Sequence, residues 1–153
     1  MFFCDPVAAF ANIDGTLRPG GRLCLLAWQP LAGNEWLREF MSALAAGRNL
    51  TVPLPGAPGP FAFSDSERIR TLLTTAGFTR VQIGASSGGM WFGRDADDAY
   101  RFVRALMSWM LNGLNSHGRY RALGALRATI AAHDTGDGVI YQSAAWTVRA
   151  TRP

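Results

Sequence analysis

The stretch Leu17-Arg18-Pro19-Gly20-Gly21-Arg22, followed by Leu23-Cys24-Leu25-Leu26-Ala27-Trp28, decides how the rest of the chain is read. One proline and two glycines force a tight turn, and an unbroken apolar run follows. Such a run, bounded by turn residues, predicts a strand buried on both faces of a sheet. Working back from it, Asp5 can cap a helix whose first turn accepts Pro6, because a missing N–H costs nothing there. Val7, Phe10, Ile13 (or Ala11) and Leu17 then share one face at helical spacing. The local order is helix, tight turn, buried strand, one half of a crossover unit.

Forward from Trp28, Pro30 ends the strand and Asn34 can cap a second helix, with Trp36, Leu37, Phe40, Met41 and Leu44 on one side and Gly47 at its end. Residues 51–60 hold four prolines and two glycines and predict an extended loop. Ser64 with Glu67 three residues on reads as a capping box for a third helix, which Gly77 ends. Phe78 to Ile83 alternates apolar and polar as a strand does. Ser86-Ser87-Gly88-Gly89 predicts a flexible loop, and it is no phosphate loop, since neither a lysine nor a helix follows. The longest apolar stripe at helical period lies between Asp95 and Asn112. A fifth helix is expected at about Arg119 to Ala132, and Val139 to Thr151 as a closing strand.

With 153 residues, 48% hydrophobic and 17% charged, the chain is one globular domain's worth. No apolar run reaches the length of a membrane span, and the N-terminus lacks a signal peptide's pattern. Cys4 and Cys24 form no disulfide framework and read as small buried hydrophobes, so a reduced, cytoplasmic setting is expected. All fifteen basic residues are arginine, giving a net charge of +4. They are scattered, which argues against a nucleic-acid or membrane patch. The absence of lysine reflects coding bias, not function.

A helix after Asp5-Pro6, the Leu17–Arg22 turn, the apolar strand, Ala76-Gly77-Phe78 before the next strand and Ala144-Ala145-Trp146-Thr147-Val148 near the end, in that order, resemble a known family. They are similar to the C-terminal half of class I S-adenosylmethionine-dependent methyltransferases, with the subgroup like the ubiquinone/menaquinone-biosynthesis (type 11) enzymes nearest. The resemblance implies an α/β, partial Rossmann-like fold in a single domain spanning 1–153. A three-stranded mixed sheet (strands near 22–28, 78–84 and 139–150) would carry about five helices, with a helical, substrate-cap-like insertion at about 90–133. In that family the seventh strand lies antiparallel between the fifth and sixth. The family binds its cofactor through a Gly-rich loop after the first strand and an acidic residue at the end of the second, and both are absent here. The resemblance therefore implies that S-adenosylmethionine is the cofactor of the lineage but is not held by this chain alone.

The same resemblance places Phe2 and Phe3 beside the cofactor site, and Trp28 and Gln29 at the ligand-facing end of the sheet. Asp5 borders that site and is either a catalytic group or only a helix cap. Trp28 is either a pocket wall or core. Trp91 and Trp109, with Phe92 and Met110, line an acceptor pocket or pack the helices. His117 is either a general base or simply solvated. Neither His117 nor His133 has a carboxylate or cysteine partner at metal-ligand spacing in the sequence, so no metal site is expected. Methyl transfer to a small or lipid-like acceptor is one functional reading. The other is a non-catalytic module that binds an apolar ligand or dimerises. In a three-stranded remnant the 23–28 strand is a hydrophobic edge, which invites a homodimer or a separate N-terminal half to pair on it.

Overall fold

The computed structural model describes residues 3–50 and 56–153, arranged as five helices and three strands. In chain order these are α1 (Pro6–Thr16), β1 (Arg22–Trp28), α2 (Glu35–Ala45), α3 (Ser66–Thr75), β2 (Thr79–Gly93), α4 (Ala96–Leu106), α5 (Ser116–Ala132) and β3 (Val139–Thr151). Short 3-10 turns lie at Leu31–Gly33 and Ser108–Leu111. The sheet order is β1-β3-β2. β3 runs antiparallel to β1 from Arg22 opposite Thr151 to Trp28 opposite Ala145. Neighbouring strands are antiparallel throughout, where a mixed sheet was expected, because the last strand inserts between the first two and runs against both.

The chain forms two compact parts, and β2 and β3 run through both. The first comprises residues 3–33, 56–87 and 144–153. Its core packs Phe10 of α1 and Ile69, Leu72 and Leu73 of α3 against Ala27, Val148 and Ala150 of the sheet. Leu23, Leu25, Val81 and Ile83 join them from the same sheet face. The other face of β1 is bare: Arg22, Cys24 and Leu26 are exposed, Leu26 at 63%. The expectation of a strand buried on both faces is thus corrected. Both helices of this part cover one face, and alternation turns Cys24 and Leu26 to the other. Cys4 and Cys24 are likewise exposed, not buried.

Caps define the helices. Asp5 accepts from the Ala8 amide at 3.0 Å, as the sequence suggested. The cap of α3 is Asp65, which accepts from the Glu67 amide at 2.9 Å, not Ser64. The Ser64 carbonyl is instead taken by the Trp146 indole N–H at 2.7 Å. Arg152 holds the turn before β1 by donating to the Leu17 and Gly15 carbonyls.

The second part comprises residues 34–50 and 88–143. Here α2 and α4 pack on α5 around an aromatic cluster. Phe40 meets Tyr141 at 4.8 Å and Phe92 at 5.1 Å, both edge-on. The helix expected to run from Asp95 to Asn112 stops at Leu106 and gives way to a 3-10 turn. Arg48, just past α2, donates to the Met110 and Asn112 carbonyls and so holds that turn. The segment Ser86–Gly89, expected as a loop, lies within β2, which continues to Gly93. At Gly89 a Cβ would come within 2.6 Å of Ile140 Cγ2, so glycine is what lets the strands approach there. α5 starts at Ser116, three residues earlier than expected, because Asn115 caps it through the Gly118 amide at 2.8 Å.

Candidate functional site

The most developed polar arrangement lies in the second part, where α2, the end of α5 and β3 bring five side chains together. Glu35 and Glu39, one turn apart on α2, project from the same face. Trp36, Phe40 and Leu44 of that helix are buried in the core. Thr129 and His133 stand in the same relation at the end of α5. His133 Nδ1 lies 2.9 Å from the Thr129 carbonyl. A carbonyl only accepts, so Nδ1 carries the proton and Nε2 is left facing Glu35 Oε1 at 3.6 Å. The imidazole stacks on the Tyr141 ring, 3.8 Å between centroids and 14° between planes.

Each carboxylate is anchored by its second oxygen. The Gln142 amide donates to Glu35 Oε2 at 2.8 Å. Thr129 Oγ1 donates to Glu39 Oε2, and the Tyr141 hydroxyl, 3.1 Å from Thr129 Oγ1, completes the chain as donor. The electrostatics follow this wiring. The Gln142 N–H, above all, holds the Glu35 carboxyl below its ordinary range, with His133 and Arg38 adding to it. Burial pushes the Tyr141 phenol up to about 12, so it stays a neutral donor. One atom each of Glu35, Glu39 and His133 lies within 4.8 Å of the others, and all three residues are partly buried. Such a cluster can hold a cation or share a proton.

The sequence expectation of no metal ligands rested on the lack of a partner near either histidine. The fold supplies His133 with two partners about a hundred positions away, which no local spacing reveals. The one available signal was compositional: two of the chain's three glutamates sit four residues apart.

The residues expected at a site fall elsewhere. In the first part, Asp5 is an exposed helix cap. Phe3 packs edge-on against Phe10 at 5.9 Å, and Phe2 lies outside the described residues. Gln29, after the end of β1, donates through Nε2 to the Ala145 carbonyl at 2.9 Å, while Trp28 is half-buried at the strand's last position. A shallow groove on the bare sheet face is lined by Gly20, Arg22, Arg80, Gln82, Arg149 and Thr151. It sits at the start of β1, opposite the strand end where open α/β sheets bind ligands. In the second part, Trp91 and Trp109 are 55% and 60% exposed, and no ring contact joins them among the described residues. His117 is exposed in the first turn of α5.

Among the described residues, the adjacent glycine pairs offer no cradle for S-adenosylmethionine. Of the chain's adjacent glycine pairs, Gly20-Gly21 lies in the turn before β1 and Gly88-Gly89 inside β2. Neither forms the strand-to-helix turn whose amides cradle such a cofactor. Among the described residues no helix is long and apolar enough to cross a membrane.

No protein-family model matches the chain, and no curated protein matches it. Among solved structures it is similar to phospholethanolamine N-methyltransferase 2 of Haemonchus contortus, solved with phosphomonomethylethanolamine and S-adenosylhomocysteine. The identity is 14% and the TM-score 0.36, over 97% of this chain and 30% of the other. The chain thus spans less than a third of the length of that structure, and a similarity of this size does not establish a shared fold.

Proposed function

We propose that this chain is the C-terminal half of a class I S-adenosylmethionine-dependent methyltransferase domain of the type 11 kind, working in the cytoplasm. The observation that supports this reading is the strand order. The last strand inserts antiparallel between two earlier ones, and α1 and α3, each preceding one of those strands, pack on the same sheet face. The family's fifth, seventh and sixth strands have this arrangement. Methyl transfer to a small or lipid-like acceptor then requires a second half that carries the Gly-rich loop and the acidic ribose-binding residue. In the completed domain, Trp28 and Gln29 border the ligand end of the sheet, with Phe3 and Asp5 beside the cofactor. The helical segment at about 90–133 covers the acceptor, with Trp91 and Trp109 as its apolar surface and His117 as its available base.

A non-catalytic reading, an apolar-ligand-binding or dimerising module, is favoured by one observation, the exposed edge at Leu26. Calorimetry with S-adenosylmethionine separates the two. The 153-residue chain is expected to bind no tighter than about 1 mM, near 4 kcal/mol. A longer product of the same locus, read from the DNA upstream of Met1, is expected to encode the Gly-rich half and to bind at micromolar concentration. Micromolar binding by the short chain alone would sink the methyltransferase-half reading.

A further inference from the structure

We propose that Glu35, Glu39 and His133 form a binding site for one divalent first-row transition metal ion, with Zn2+ the tightest-binding of Mn2+, Co2+ and Zn2+. The site is independent of the methyltransferase reading and uses no residue assigned there. Three observations carry it. The first is the donor set, two carboxylate oxygens and one imidazole nitrogen within 4.8 Å of one another. Donors around a tetrahedral ion at ~2.1 Å stand about 3.4 Å apart. Small rotations about the glutamate side-chain bonds therefore close the site without moving the backbone.

The second is orientation. Metal-binding imidazoles present one nitrogen to the ion and fix the other by a hydrogen bond to a carbonyl or carboxylate. His133 is held in this way, with Nδ1 on the Thr129 carbonyl and Nε2 turned to Glu35. Stacking on Tyr141 fixes the plane of the ring. Each glutamate has one oxygen tied down, by the Gln142 amide or the Thr129 hydroxyl, and Glu35 turns its other oxygen to His133 Nε2. All three donors thus have an outer partner, and these partners lie on two different elements.

The third is charge. Two glutamate carboxylates side by side in a partly buried site bring two negative charges together, which a divalent cation neutralises. One nitrogen and two oxygens suit Zn2+, Mn2+ or Fe2+. Thiolate-seeking Cu(I) finds no sulfur here, and Mg2+ prefers oxygen alone. Three protein donors leave room for water or a ligand oxygen, as in metal sites open to substrate.

The test uses the metal-stripped full chain, titrated calorimetrically with Zn2+ and Co2+ alone. One ion per chain is expected. The cobalt absorption spectrum should lack a thiolate charge-transfer band, which separates this site from the exposed Cys4 and Cys24. Glu39→Gln keeps an acceptor for Thr129 while removing the charge, and His133→Ala removes the nitrogen. Each is expected to weaken binding about tenfold or more, with unchanged far-ultraviolet circular dichroism. Absence of stoichiometric binding, a thiolate band, or wild-type affinity in both variants overturns the proposal. Should a variant fail to fold, zinc-edge X-ray absorption on the wild-type chain decides: one imidazole with oxygen neighbours supports the site, and sulfur or two imidazoles overturn it.

Discussion

Two glycines of the second part show how much a single hydrogen replaced by a methyl can mean. At Gly93, just before α4, a Cβ would stand 2.4 Å from the Ala99 amide nitrogen and 2.8 Å from its Cα. These are backbone atoms inside a capped helix, and they cannot yield without moving the turn. At Gly124, inside α5, a Cβ meets nothing within 4 Å. The same substitution therefore acts with opposite sign. Gly93→Ala is expected to destabilise by about 1–3 kcal/mol through overpacking. Gly124→Ala is expected to stabilise by about 0.5–1 kcal/mol through helix propensity. Thermal unfolding of the two variants checks both directions. The sequence offered no way to tell these glycines apart, because the difference is a neighbour in space. The same limit applies at the candidate site. Asp5 was legible as a cap because its partner is three residues away. His133 was not legible as a cluster member because Glu35 and Glu39 reach it only through the packing of α2 on α5.

At the scale of elements, apolar periodicity located the five helices and three strands of the described residues, since each buries one stripe or face. What it missed lay at ends and edges, where distant groups decide. The helix begun at Asp95 stops at Leu106 because Arg48 ties down the turn that follows. The Ser86–Gly89 segment is strand because β3 lies beside it, although its composition suggests a loop. The apolar run 23–28 was legible as a strand, but not as a half-covered one. Its edge position has a direct consequence. Leu26 is 63% exposed on a strand that, among the described residues, pairs on one side only. Natural edges are commonly blunted by charge. Leu26→Lys is accordingly expected to leave thermal stability within about 0.5 kcal/mol, as surface changes do. It should also reduce self-association, read by light scattering across a concentration series. A variant as associated as the parent would show that contacts between copies do not run through this edge.

At the scale of the whole molecule, the question is whether β1 awaits another strand, and amide exchange can answer it position by position. The Gln29 amide donates to the Ala144 carbonyl at 3.0 Å, which makes that opposed pair a hydrogen-bonded one. Such pairs alternate along an antiparallel ladder, so Leu23, Leu25 and Ala27 direct their amides at β3. Cys24 and Leu26 direct theirs at the open side. In the dilute 153-residue chain, the first set is expected to exchange slowly and the second fast. If a methyltransferase half is what completes this sheet, supplying it adds a strand beside β1, and Cys24 and Leu26 become slow while the first set changes little. If β1 instead pairs with a second copy, the same two amides become slow as concentration rises, with no added half. The two outcomes assign the edge to its partner without requiring activity. Protection of Cys24 and Leu26 in a dilute monomer would mean the edge is already covered, and both pairing schemes would fail together.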